Sequence, residues 1–364
     1  MIVFYAFTPY QIFNCVNIKL SWYKKNKAIL ILINPNENNL FEFCSKKYLI
    51  KIFAEIISLE SGIVDYNHGF IKKIITYCYS LYRLRVTKLK ILKINISDEV
   101  TDIFTYGSSP ELYIIDNYVT RKNGYAARLI TYEEGTGSYL WVANNALNSI
   151  YTFFLKVFIN VKVKKTFDEL LLYSPSCISY SKVCNVKAMP RIDIKQNIDI
   201  FNGIFNVKNI NSENCILLLG PDQNIDLKIA EIFKDLQYQS LRVRLHPRSK
   251  KIERYNSLMK SENQRIMWEM VCMNSDLSDS VLISYFSTST FTPKLIFGME
   301  PYLIFLFNMD ELKHEKYTND EGVLKPIMID LFENFRDTYE DKDRIFCPTN
   351  LEELKEICYH LKVK

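Results

Sequence analysis

Short apolar runs that end in turn residues and hand over to helical periodicity recur along this 364-residue sequence. That alternation limits the fold more than any other feature. Residues 2–7 stop at Thr8-Pro9, 28–33 at Asn34-Pro35-Asn36, 215–219 at Gly220-Pro221-Asp222, and 240–245 at His246-Pro247. Unbroken runs such as AILILI and CILLL predict strands buried on both faces, as in a parallel sheet. Parallel strands need crossover helices, so the chain predicts an α/β fold. Its length exceeds one ordinary α/β core and suits two Rossmann-like domains facing a central cleft. A hydrophobic content of 48% is enough for two such cores.

Element by element, strands are predicted at 2–7, 28–33, 89–94, 102–106, 112–115 and 128–132 in the first half. Thr8 reads as the cap of a helix running to Tyr23, with Pro9 at its first position. Helical periodicity is read at 40–58 and 68–86. A less patterned stretch, 174–214, carries Pro175, Pro190 and Gly203 and predicts the connection between domains. Beyond it, strands are predicted at 215–219, 240–245, 265–268, 281–285 and 302–307, with a helix at 225–238.

Several function classes drop out. The nine cysteines are odd in number and contain no C-x-x-C pair, which favours reduced thiols in a cytosol over a disulfide framework. No basic region precedes the first apolar run, so no signal peptide is expected. The nearest approach to a membrane span, 151–165, is broken by Lys156, Lys162, Lys164 and Lys165. The net charge of +5 is unevenly spread. From Phe70 to Asn95 lie Lys72, Lys73, Arg83, Arg85, Lys88, Lys90 and Lys93 without an acidic residue. Such a basic amphipathic stretch is ordinarily a solvated helix face, and alternatively a surface resting on anionic lipid. No nucleic-acid module is present.

The chemistry-bearing residues stand where apolar runs end, and parallel sheets bind ligands along that edge. His246 closes a strand, with Pro247 restricting the backbone, and can donate to or protonate a phosphate oxygen. Arg248 adds charge or is plain surface. Asp222 reads either as a cap for the helix that follows or as a general base toward a hydroxyl nucleophile. The Ser287-Thr288-Ser289-Thr290 run opens a helix and is either ordinary capping or an anion site of hydroxyls and N–H groups. Glu133-Glu134-Gly135 follows the strand at 128–132 and offers two carboxylates before a turn; solvated turn residues are the plain alternative. Gln11 is a softer candidate for hydrogen bonding to a sugar. The only D-x-D, Asp341-Lys342-Asp343, lies in a charged stretch, and the four histidines lack metal-ligand spacing. No metal is expected. An imidazole, a carboxylate and hydroxyls on one sheet edge suit transfer of a sugar from a phosphate-bearing leaving group.

At YEEGTGSY (132–139), LLLGPD (217–222), LHPR (245–248) and YFSTST (285–290), in that order, with TPYQ near the start, the chain resembles bacterial sialyltransferases of glycosyltransferase family 52. These include lipooligosaccharide sialyltransferases. The resemblance implies a GT-B fold, CMP-sialic acid as donor, inversion at the anomeric carbon without a metal, and a galactoside of a surface glycan as acceptor, α-2,3-linked. Residues 1–200 would bind the acceptor and 210–364 the nucleotide sugar. By position, Asp222 is implied as the general base and His246 as the group serving the departing phosphate. Gly220, Pro247, Arg248, Ser287, Thr288 and Ser289 are implied around the nucleotide, and Gln11, Glu133 and Gly135 around the acceptor. More distant sialyltransferases place their base in the acidic-Gly motif, which keeps Glu134 as a rival. A cytoplasmic protein, peripheral at the inner membrane and forming a homodimer, is the matching expectation. A GT-B transferase with a UDP-glucose or CDP-polyol donor, or a non-catalytic glycan- or nucleotide-binding protein, stays open beside it.

Overall fold

The computed structural model describes residues 1–34, 42–60, 70–94, 99–140, 149–164, 166–178, 185–220, 224–247, 249, 252–312 and 326–363. Among them run two parallel sheets with helices between the strands. The first contains β1 (Ile2–Ala6), β2 (Ala28–Asn34), β3 (Glu55–Glu60), β4 (Asp102–Thr105), β5 (Arg128–Tyr132), β6 (Glu169–Leu172) and β7 (Asn185–Ala188), in the order β3-β2-β1-β4-β5-β6-β7. The second contains β8 (Cys215–Leu218), β9 (Leu241–Arg244), β10 (Val281–Ser284), β11 (Tyr302–Phe305) and β12 (Ile345–Phe346), in the order β12-β11-β10-β8-β9. The fold class is therefore α/β with two Rossmann-like sheets, the GT-B arrangement.

The first-half helices are α1 (Pro9–Trp22), α2 (Lys46–Leu49), α3 (Phe70–Leu92), α4 (Pro110–Asn123), α5 (Gly137–Leu140) and α6 (Ser149–Phe158). After β7 come α7 (Ile194–Phe205), α8 (Asn224–Leu236), α9 (Trp268–Asn274), α10 (Thr288–Phe297), α11 (Pro326–Arg336) and α12 (Leu351–His360). Strand β1 shows why the sheets hold. Its five residues are fully buried, with Ile2, Phe4 and Ala6 entering one apolar cluster and Val3 and Tyr5 the cluster on the opposite face. The first of these clusters is continuous through both halves. Phe13 of α1 lies 4.9 Å, centroid to centroid, from Phe201 of α7 and 6.5 Å from Phe297 of α10.

Order reverses between β1 and β4 in the first sheet and between β8 and β10 in the second. Those two reversals open crevices at the carboxyl ends of the strands, the usual ligand position in open α/β sheets.

Four sequence expectations need correction. Among its described residues, the 40–58 region holds α2 and then β3 instead of one helical stretch. Residues 89–94 continue α3 to Leu92 instead of forming a strand. Residues 112–115 lie inside α4, where Ser109 caps the first turn and Pro110 stands at its start. Because Pro110 to Asp116 are all buried, the first half of that helix presents no solvent face and mimics a strand in the sequence. Finally, 265–268 is no strand; α9 starts at Trp268. The stretch read as a connection, 174–214, contains β7 and α7 as well.

Candidate functional site

At the end of β1 the chain turns into α1 with Thr8 as its cap, the hydroxyl accepting from Gln11 N at 3.2 Å. Phe7 N donates to Gln11 Oε1 at 2.7 Å, which fixes the amide so that its NH2 points the other way. There Gln11 Nε2 donates to Glu134 Oε1 at 2.7 Å, with Thr8 Oγ1 at 3.4 Å from the same oxygen. Gln11, read from the sequence as a sugar contact, is only 1% exposed, and its amide holds the Glu134 carboxylate. Tyr106, just past β4, completes this end of the crevice. Burial and then the Glu134 charge push its phenol up to about 12.

The two adjacent glutamates do different work. Glu133 is 3% exposed, with Tyr139 OH donating to Oε2, Tyr173 N to the same oxygen at 3.0 Å, and Tyr10 OH 3.5 Å from Oε1. Burial raises its carboxyl to about 7 despite those donors. Glu133, read from the sequence as an acceptor contact, is thus buried and braced by these donors, and Asn14 Nδ2 donates to its carbonyl at 2.8 Å. Glu134 is half-buried, and its backbone N–H donates to Ser138 Oγ at 2.8 Å.

Gly135 follows with φ at +88°. A Cβ there would sit 2.5 Å from Thr288 Cγ2, so both conformation and space require glycine. Thr136 N donates to Thr288 Oγ1 at 3.1 Å, and the two hydroxyl oxygens are 2.8 Å apart. The acidic loop of the first half thus seats directly on the start of α10 in the second.

Beneath α10, Ser287 is the cap, accepting from Ser289 N at 3.3 Å, and Ser284 Oγ lies 2.7 Å from Thr290 Oγ1. Trp268 Nε1 donates to the Ser289 carbonyl at 2.7 Å. Arg244, buried at the end of β9, donates to the carbonyls of Asn263 (2.7 Å) and Ile266 and lies over the Trp268 ring, tying β9 to α10.

The neighbouring strand ends supply the other expected residues. Gly220 N donates to Asp226 Oδ1 at 2.9 Å, and Ser249 Oγ donates to the Gly220 carbonyl at 3.4 Å. His246 is half-buried just past β9 and Pro247 is exposed, with the Leu245 backbone clamped on both sides by Gln264. Asp222 and Arg248 lie outside the described residues. The structure thus brings Gln11, Glu134, Gly135 and Thr288 together by direct contact, and sets Ser287 and Ser289 beside them along the chain. It places Gly220, His246 and Pro247 just past the carboxyl ends of β8 and β9.

Sequence reading missed Tyr106, Thr136 and Asp226 as parts of this edge. Asp226 had a signal, an acid in the first turn of a helix after a Gly-Pro turn. Tyr106 had none beyond following a strand. The D-x-D stands before β12, at the amino-end edge of its sheet, opposite these residues, and Asp341 there caps a short turn. Among the described residues no cluster of three or more His, Cys, Asp or Glu could hold a metal ion.

No family model matches the sequence, and no curated protein matches it. Solved structures are similar at low identity. UDP-GlcNAc 2-epimerase from Neisseria meningitidis bound to UDP-GlcNAc is 9% identical with a TM-score of 0.41, covering 100% of this chain and 99% of that one. Anabaena HepE in complex with UDP and glucose is 8% identical with a TM-score of 0.43, covering 99% and 88%. A UGT transferase from Siraitia grosvenorii in complex with UDP is 9% identical with a TM-score of 0.42, covering 99% and 93%. Scores at this level carry nothing about ligand or residue role.

Proposed function

We propose that the chain is a glycosyltransferase that uses a nucleotide-activated sugar, and more finely that it moves sialic acid from CMP-sialic acid to a galactoside with inversion. One observation carries the reading. Glu134, its carboxylate held by Gln11 at 2.7 Å, stands one residue before a turn that seats on the hydroxyl-rich start of α10. A basic group and an anion-binding helix start are thereby joined across two sheets. The ordered motifs shared with family 52 sialyltransferases support the finer choice of donor.

In this proposal the acceptor hydroxyl gives its proton to the Glu134 carboxylate as its oxygen attacks the anomeric carbon. The bond from that carbon to the phosphate oxygen breaks, and CMP leaves with the electron pair. His246 donates to, or protonates, the departing phosphate oxygen, while Ser287, Ser289 and the α10 N–H groups bind the phosphate. A monophosphate carries less charge than a diphosphate, so side-chain and backbone donors can stabilise its departure. Attack from the opposite face inverts the centre. Asp222, which follows β8 in the sequence, is the second candidate for the base.

The test is to incubate purified protein with CMP-sialic acid and a galactoside in EDTA and to follow product by mass spectrometry, with UDP-glucose and a CDP-polyol in parallel. Sialylated product, lost in Glu134→Gln and in His246→Ala, is the expected result. Turnover of UDP-glucose alone would sink the donor assignment and leave glycosyl transfer standing. Nucleotide binding without turnover of any donor would overturn the enzyme itself. Comparing Glu134→Gln with Asp222→Asn assigns the base.

A further inference from the structure

We propose that α3 and α6 together form a surface that docks on an anionic lipid bilayer, independently of which sugar the protein handles. Seven of the fourteen large apolar side chains exposed among the described residues lie on these two helices. On α3 they are Tyr79 (53% exposed), Tyr82 (64%), Leu89 (60%) and Leu92 (46%). On α6 they are Phe153, Val157 and Phe158.

This exposure is not a helix turned the wrong way. Leu84 and Ile91 of α3 and Leu155 of α6 are buried in the same apolar cluster, against the first sheet, with Ile159 just beyond α6. The inward stripe is already satisfied, and a second apolar stripe faces outward. At 100° per residue, Tyr79, Tyr82 and Leu89 fall within about 80° of arc, and Leu92 lies about 60° beyond Leu89. Exposed Arg85 lies on one side of that stripe and exposed Lys90 on the other. Lys88 Nζ donates to the Ile159 carbonyl, which fastens the chain just beyond α6 to α3.

Charge selects the occupant. Neither Phe70–Leu92 nor Ser149–Phe158 contains an aspartate or glutamate, and Lys156 adds an exposed cation on α6. Aromatic and aliphatic side chains edged by cations, with no acid among them, match the layout of anionic headgroups over acyl chains. Among the described residues no helix is long and apolar enough to cross a membrane. The contact is therefore one of lying on the surface.

Flotation of the full chain with vesicles tests this. Binding is expected to vesicles of phosphatidylcholine and phosphatidylglycerol in roughly equal parts, and not to phosphatidylcholine alone. Salt at about 1 M, where the Debye length is about 3 Å, should weaken it. Arg85→Ala with Lys90→Ala should lower the partition coefficient about 25-fold, near fivefold for each charge removed. Tyr82→Ser with Leu89→Ser should abolish retention. All four positions except Lys90 and Arg85 are apolar and all are exposed, and unchanged thermal melts separate lost docking from lost fold. Equal binding to neutral vesicles, no binding to the mixed ones, or wild-type retention by both variant pairs overturns the proposal. Sedimentation that shows a dimer broken by these substitutions, without vesicle binding, would assign the face to a second copy of the chain instead.

Discussion

At Glu133 the carboxyl group is 3% exposed and titrates near 7, against 4.5 for an ordinary glutamate. The folded protein therefore keeps a proton there over a range in which the unfolded chain has lost it. This group's contribution to stability is complete below about 4.5 and fades as the pH rises through about 7. Between those values it gives a slope of at most about 1.4 kcal/mol per pH unit. Chemical denaturation of Glu133→Gln across that window should show a flatter profile than wild type; an identical slope in both would refute the assignment. Glu134 makes the contrasting prediction. Its carboxylate is held by Gln11, and if it is the base proposed above, Glu134→Gln should lower kcat by about 10²- to 10⁴-fold with little change in thermal stability. Gln11→Ala, which removes only the orientation, should shift the pH–rate profile more than it changes KM, and steady-state kinetics over pH would detect this.

The junction between the loop after β5 and the start of α10 is the element that links two distant stretches of chain, through Thr136 and Thr288 at 2.8 Å. A double-mutant cycle with Thr136→Ala and Thr288→Ala should return a coupling of about 1 kcal/mol in nucleotide affinity by calorimetry. Additive effects would mean that the pair does not act in binding. Gly135→Ala should be worse than either, because it adds a strained φ to a clash with Thr288. Much of this junction can be read from the sequence. Thr8-Pro9 announces α1, β5 is read at its observed bounds, and the Ser/Thr run announces α10, since each is written in local capping and periodicity. What cannot be read is which side chain meets which. Glu133 and Glu134 are identical in type and adjacent, and only the packing of Tyr139 and Tyr173 decides that the first turns inward. α4 fails for the related reason that burial on all sides of its first half, Pro110 to Asp116, erases the helical period there.

Over the whole molecule, the decisive feature is that one apolar cluster runs through both sheets instead of stopping at a linker. Two domains joined only by a polar contact would unfold independently, whereas a shared core makes the loss of one half expose the other. Phe13 is the residue to probe, since it is fully buried in α1 and touches Phe201 and Phe205 of α7 and Phe297 of α10. Wild-type protein is expected to melt in a single calorimetric transition with equal calorimetric and van't Hoff enthalpies. Phe13→Ala should cost about 3 to 5 kcal/mol by leaving a cavity at the junction, and should split or broaden that transition. A wild type that already melts in two well-separated steps would show that this shared cluster does not couple the unfolding of the two halves. Closure around a donor would then be a hinged motion of nearly independent bodies. A single transition instead ties the sheet edges to the core, so that substitutions at Phe13 should alter nucleotide affinity although the ring is fully buried.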